Sequence, residues 1–348
     1  MTRIVVTCGS GGVGKTTTAA ALALAFASRG DRVAVLTIDP ARRLADALSL
    51  KNVGNTAQRV PTPEGHLDAM MLDAKQTFDE LVSRHTASPE ARDRILKNHY
   101  YRFVSERLPG VHEYMAMERL LSLAAGEEYD VIVLDTPPAR HALDFLAAPD
   151  KMAGLMDEGV MRWLVLPASA GGWRMIEMGS EVLAGVLKKM LGQRTIEDIA
   201  EFFAGFQSLW DGFRERSLAT RELLRAPSTQ FVLVTTPAPG SRAEALAFLE
   251  VLQRDGLPFA GFILNRCADA PPERVRWPAN EPPLTTSLLA SIDDTLARRK
   301  RLVDAQEAVI ADLLAHAPRG ARAWRLPDSD TAVSSLDGLA RMGRLVGV

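Results

Sequence analysis

A turn reading Gly9-Ser10-Gly11-Gly12-Val13-Gly14-Lys15-Thr16 lies between the apolar run Ile4-Val5-Val6 and a long alanine-rich stretch. A strand that feeds a helix through such a turn is the opening unit of an α/β fold. The glycines let successive backbone N–H groups turn inward around phosphate oxygens, and the helix that follows aims its positive end at the same anion. Lys15 is then placed to reach the β- and γ-phosphates and Thr16 to ligate Mg²⁺. Gly11, Gly12, Val13, Gly14 and Thr17 complete the candidate nucleotide contacts. Gly9, Gly11 and Gly14 also spell the G-x-G-x-x-G of dinucleotide-binding folds, with Asp39 as the acid after the next strand. Only a triphosphate site explains Gly14-Lys15-Thr16.

Beyond the loop, short β-branched runs alternate with helical patterns across the 348 residues, which predicts a mostly parallel sheet with helices on both faces, of the P-loop NTPase type. Seven strands are expected: Ile4 to Cys8, Val33 to Ile38, Leu67 to Leu72, Val131 to Leu134, Phe231 to Thr235, Phe262 to Leu264 and Ala323 to Leu326. The helix after the loop runs from Lys15 to Arg29 and stops at Gly30. Residues 1–348 read as one P-loop domain carrying a helical subdomain from two insertions, 75–127 and 147–226. The second insertion holds three apolar helical stripes: Met152 to Leu164, Met178 to Met190 and Ile196 to Trp210. Six of the twelve methionines fall between 152 and 190, so adaptable side chains are concentrated in one segment. Such stripes serve either as bundle core or as a groove for varied apolar clients. A proline-rich stretch from Pro271 to Pro283 reads as a surface loop or a lid, and Leu336 to Val346 as a packed final helix.

A net charge of −2 provides no global basic field, which argues against nucleic acid and leaves at most peripheral membrane contact. Cys8 and Cys267 lie in apolar runs and suggest neither a disulfide framework nor a thiolate metal site. With no apolar N-terminal leader and no run of eighteen apolar residues, a soluble cytoplasmic protein is expected.

Val131-Ile132-Val133-Leu134-Asp135 is a buried-strand pattern ending in a carboxylate, which suits Mg²⁺ opposite Thr16. Thr136 to His141 follows, where a segment can sense the γ-phosphate. Asp39 ends the second strand and lies beside the loop in an open α/β sheet, in place to orient an attacking water. Asp135 alternatively caps a helix, and Asp39 alternatively fills a turn.

Together the loop, Asp39-Pro40-Ala41, Asp135-Thr136-Pro137-Pro138 and Asn265 resemble the arsenical-pump and tail-anchored-protein-targeting ATPases, the ArsA/Get family. The resemblance runs through most of the chain. It implies ATP and Mg²⁺ as cofactors, a first switch over Asp39 to Ala47 led by a catalytic Asp39, and a second from Asp135 to Leu146. It also implies adenine recognition by Asn265 and packing of the base on the loop at Pro327. Pro109-Gly110-Val111-His112-Glu113 is similar to a segment that family carries before its second switch. No Asn-Lys-x-Asp signature for guanine occurs.

The family usually carries a second lysine where this chain has Ser10, and that lysine reaches a partner's nucleotide across a dimer. Three readings follow: hydrolysis is slow, Arg42, Arg43 or Arg140 substitutes, or the unit is a heterodimer with a paralogous ATPase rather than a homodimer. The two cysteines do not suit arsenite binding. The leading expectation is an ATP-driven dimeric switch for hydrophobic protein or lipid clients. Its rivals are a MinD/ParA-like spatial-organisation ATPase and a nicotinamide-dependent oxidoreductase.

Overall fold

A computed structural model describes residues 2–39, 41–51, 53–62, 65–86, 88–99, 101, 105, 110–137, 212–273, 275, 284–328 and 335–347. The Met-rich stripes between 152 and 210, Arg140, and residues 276–283 of the proline-rich stretch lie outside the described residues.

Among the described residues, eight strands form one sheet: β1 (Arg3–Cys8), β2 (Arg32–Thr37), β3 (Gln58–Arg59), β4 (His66–Met71), β5 (Val131–Asp135), β6 (Thr229–Thr235), β7 (Phe259–Cys267) and β8 (Arg322–Pro327). Their order is β3-β4-β2-β5-β1-β6-β7-β8, and every pair is parallel except β3 with β4. All seven expected strands are present. The addition is β3, a two-residue polar edge strand with no apolar run to announce it. Because β1 sits between β5 and β6, the chain winds away from it in both directions, and the crevice at such a switch point opens at the strands' C-terminal ends.

Side chains alternate across the strands, as a period of two requires. Ile4 and Val6 face one core with Leu36, Ile132, Leu134 and Phe231, while Val5 faces the other with Val33, Val35, Val133 and Val234. The first core is closed by α5 (Val111–Ala125), α6 (Pro239–Arg254) and the C-terminal part of α7 (Thr286–His316). The second is closed by α1 (Lys15–Ala27), α2 (Arg43–Ala47) and α8 (Leu336–Val346). The sheet is therefore covered on both faces, as the strand pattern predicts.

Ala19, Ala20, Ala21 and Ala23 of α1 are fully buried, with α1 packed against both the sheet and α8. The helix ends at Ala27, two residues before the expected Arg29, with Ser28 Oγ donating to Leu24 O at 2.8 Å. Gly30 takes the left-handed turn that follows, at φ +92°. Helix α8 reaches α1 through Gly343, where a Cβ would lie 2.3 Å from Ala21 O and 2.9 Å from Ala25 Cβ.

A third, smaller core lies among the helices between residues 74 and 125 and the segment 212–225. Phe78, Leu81 and Val82 of α3 (Ala74–His85), Ile95 of α4 (Pro89–Lys97), Tyr114 of α5 and Phe213 of a helical segment at 212–225 pack together. Side-chain caps set the starts of both short helices: Asp73 accepts from Gln76 N–H at 2.8 Å, and Ser88 from Ala91 N–H at 3.2 Å. Segment 212–225 is tied to α5 by the Tyr114 hydroxyl, which donates to Phe213 O at 3.2 Å, and by an ion pair between Arg216 and buried Glu118. No helix among the described residues is long and apolar enough to cross a membrane.

Gly343→Ala should cost about 2 kcal/mol, the usual price of overpacking against backbone that cannot retreat. Urea unfolding of the variant should show a lower midpoint with an unchanged slope, whereas Gly240→Ala, where a Cβ meets nothing within 4 Å, should be nearly silent.

Candidate nucleotide site

The loop between β1 and α1 takes its shape from three glycines at positive φ: Gly9 at +145°, Gly12 at +77° and Gly14 at +96°. At two of them a Cβ would collide, with backbone at Gly9 and with a side-chain amide at Gly14. A Cβ on Gly9 would lie 2.0 Å from Val234 O, and one on Gly14 would lie 2.4 Å from Asn265 Nδ2. Gly14 is the N-cap of α1 and gives it no side-chain cap, and the first turn carries no acid. The leading N–H groups of α1 thus remain available to an anion at the positive end of the helix.

Lys15 is almost wholly buried and its ammonium donates to Ser10 O at 2.7 Å, folding the side chain back over its own loop. Burial pulls its pKa below the ordinary lysine value, against the opposing pull of Asp135.

Asp135 closes the floor of the site at the C-terminal end of β5. Its Oδ2 accepts from Thr16 Oγ1 at 2.8 Å and from Thr37 Oγ1 at 2.9 Å, tying the first turn of α1 to the ends of β5 and β2. Full burial raises its pKa to about 6, although the two hydroxyls and Lys15 favour the charged form. The other oxygen, Oδ1, is buried without a hydrogen-bond partner among the described residues. An unmatched carboxylate oxygen beside a threonine hydroxyl is a donor set suited to a hard divalent cation that retains several waters.

From Asp135 the hydrogen bonds continue to Asp39. Thr37 Oγ1 accepts from Asp39 N–H at 3.3 Å, so one hydroxyl links the strand-five carboxylate to the segment after β2. The Asp39 carboxylate accepts from Ala41 N–H at 2.9 Å and from Arg43 Nη1 at 3.2 Å. Arg42 turns elsewhere and donates to Lys51 O at 3.0 Å. Ile38 O accepts from His112 Nε2 at 3.1 Å, which docks the first turn of α5 on the same segment.

On the opposite side of the loop, Asn265 Nδ2 donates to Val13 O at 2.8 Å and Arg266 Nη2 to Gly12 O at 3.4 Å. Pro327 ends β8 beside β7, where Asp328 N–H donates to Cys267 O at 2.9 Å, and its ring is exposed. The structure thus gathers Gly11, Gly12, Val13, Gly14, Lys15, Thr16, Thr17, Asp39 and Asp135 at the C-terminal end of β1 and its neighbours, with Asn265 and Pro327 along the adjoining strand ends. Sequence reasoning missed Thr37 and Arg266. Thr37 is an ordinary strand residue until the pairing of β2 with β5 brings it to Asp135.

Cys8 and Cys267 are buried thiols that donate to Val232 O and Leu264 O. Burial pushes both thiol pKa values up, that of Cys267 to about 11, so neither is a ready thiolate. No group of three or more His, Cys, Asp and Glu side chains is arranged for a metal among the described residues.

Asp135→Asn removes a buried charge while keeping an oxygen for Thr16 and Thr37. The ligand-free protein should gain about 1–2 kcal/mol and melt a few degrees higher at pH 7.5. A fall in melting temperature would show that the carboxylate contributes more through its hydrogen bonds than its burial costs.

The family model described as anion-transporting ATPase, of the ArsA type, matches residues 2–277. Among similar proteins, the ATPase GET3B of Arabidopsis thaliana is 27% identical over 278 residues, covering 74% of this chain and 62% of that protein. The ATPase GET3 of Mycosarcoma maydis is 30% identical over 163 residues, 47% of this chain and 46% of its own length. A putative arsenical pump-driving ATPase of Halobacterium salinarum is 32% identical over 178 residues, 49% of this chain and 27% of its own. The chain thus spans less than two thirds of the length of these relatives. The matched family region contains the glycine loop, both carboxylates and Asn265, and on that ground the chain belongs to the ArsA ATPase family.

Proposed function

We propose that this chain is an ATP hydrolase whose nucleotide cycle works a switch. The observation that carries this reading is the unbroken run of hydrogen bonds from Thr16 through Asp135 and Thr37 to the Asp39 backbone. It links the residues suited to a metal-bound triphosphate with a segment able to change conformation.

In this reading the amides of Gly11, Gly12, Val13 and Gly14, with Thr17 on the first turn of α1, cradle the phosphates. Lys15 exchanges the Ser10 carbonyl for β- and γ-phosphate oxygens and spreads the charge that develops there. Thr16 and Asp135 hold Mg²⁺, which when bound neutralises phosphate charge. Asp39 orients the attacking water, and to do so its carboxylate must loosen its hold on Arg43, an exposed ion pair of modest strength. Arg43, four residues after Asp39 and at the start of α2, is then released. Asn265 and Pro327 receive the base.

The working unit in this proposal is a dimer, either of two copies or with a paralogous ATPase that supplies the cation missing at Ser10. ATP binding favours one arrangement of the Asp39 segment and hydrolysis the other, in the manner of other γ-phosphate switches. The Met-rich stretch from 152 to 190 is proposed as the client-handling part, for hydrophobic or membrane-protein segments. Relatives named GET3 support a targeting role, and the one named for an arsenical pump suggests anion transport. The buried, protonated state of Cys8 and Cys267 counts against metalloid capture by thiolates.

Lys15→Ala should abolish the rise in melting temperature that Mg-ATP gives the parent protein. Asp39→Asn should retain that rise and lower turnover at least about 100-fold, as expected for loss of a group acting only in the transition state. Intact turnover in Asp39→Asn would remove its water-positioning role. If the partner is a paralogue, adding that subunit should raise the turnover of the pure chain, and full activity unaffected by Ser10→Ala would point to two identical copies.

A further inference from the structure

The C-terminal end of β7 touches the glycine loop at two consecutive peptides. Arg266 Nη2 donates to Gly12 O, and Asn265 Nδ2 donates to Val13 O. Both peptide units are trans, so the carbonyl and the amide of each point in opposite directions. Holding the Gly12 carbonyl on the β7 side turns the Val13 N–H away from β7. Holding the Val13 carbonyl does the same for the Gly14 N–H. These two amides belong to the phosphate cradle proposed above.

Three further observations single out this contact. A Cβ on Gly14 would lie 2.4 Å from Asn265 Nδ2, so only a glycine lets the amide stay this close to the loop. The Asn265 amide is itself held, since its Oδ1 accepts from Arg266 N–H at 3.0 Å. Arg266 takes a left-handed backbone, φ +62°, which arginine seldom adopts, and that turn lets two adjacent residues deliver both side chains to one loop. Backbone strain of this kind persists where the surrounding contacts enforce it.

We propose that Asn265 and Arg266 are positioning residues of the phosphate cradle, a clamp that pre-aims the Val13 and Gly14 amides at the anion. The inference rests on the triphosphate reading and adds a role separate from base recognition. A clamp acts on phosphates whether or not a base is attached, and amides fixed in advance bind without paying for reorganisation.

Inorganic tripolyphosphate separates the two roles because it has phosphates and no base. Affinities for Mg-ATP and Mg-tripolyphosphate are measured on the parent chain and on Asn265→Ala, Asn265→Asp and Arg266→Ala, by displacement of a fluorescent nucleotide. Ligand-free melting temperatures are recorded alongside. Asn265→Ala should weaken tripolyphosphate about tenfold, for one well-made hydrogen bond, and Mg-ATP by at least that factor because the base contact goes with it, with at most a small drop in the ligand-free melting temperature. Arg266→Ala should weaken both about threefold, in keeping with its longer, exposed contact. Asn265→Asp keeps the acceptor for Arg266 N–H but sets an oxygen against the Val13 carbonyl, so it should be worse than alanine for both ligands.

Loss of ATP affinity with tripolyphosphate affinity intact in Asn265→Ala would overturn the clamp and leave Asn265 to the base alone. A parent chain that binds Mg-ATP but not tripolyphosphate would also overturn it, because a preformed cradle grips phosphates by themselves. If the parent chain binds neither, the triphosphate reading falls and the clamp falls with it.

Discussion

A single buried carboxylate organises the end of the sheet where the glycine loop lies. Asp135 is wholly buried, accepts two hydroxyls through one oxygen and leaves the other unmatched. Burial of a charge is expensive unless it is compensated, and two neutral hydroxyls with a nearby ammonium compensate it only in part. Its raised pKa is the direct expression of that deficit. A carboxylate left partly uncompensated has more to gain from a cation than one already paired. Around it, Thr16 of the loop, Thr37 of β2 and the backbone of Asp39 are placed by the same few hydrogen bonds.

The sheet delivers these groups by strand order alone. Because β1 runs between β5 and β6, its loop opens into a crevice walled by the ends of β5 and β2 on one side and β6 and β7 on the other. The alanine-rich α1 then lies close to the sheet, and Gly343 lets α8 press against it from outside. Small residues on α1 and α8 thus serve the site indirectly, by fixing the axis whose N-terminus carries Lys15 and Thr16.

Much of this frame is legible in the sequence, since apolar runs of period two and a glycine loop between strand and helix are strong local signals. All seven runs read as strands are strands, whereas Gln58-Arg59 is not legible because only its pairing with Asp68 and Ala69 makes it one. Asp135 can be read as a candidate because it ends a strongly apolar strand. Thr37 cannot, because its partner is 98 residues away and nothing in its own neighbourhood distinguishes it from other strand threonines. Arg266 is hidden for the same reason: its contact with Gly12 spans 254 residues and depends on an unusual backbone angle. The pairing of Asp39 with Arg43 lies at helical spacing and was within reach of pattern reading, but four-residue charge pairs are too common to single one out.

Helix α5 has one face in each of two cores. Val111, Tyr114 and Met115 pack in the smaller core, Met117 and Leu120 pack against the sheet, and His112 at its start holds the carbonyl of Ile38. Packed interiors resist compression and pass displacement on to their neighbours. A shift of one peptide beside Asp39 would therefore tilt a rod of fifteen residues about its buried middle. His112 lies between Val111 and Tyr114, so the smaller core would feel such a displacement without touching the glycine loop, while Met117 and Leu120 hold the helix on the sheet.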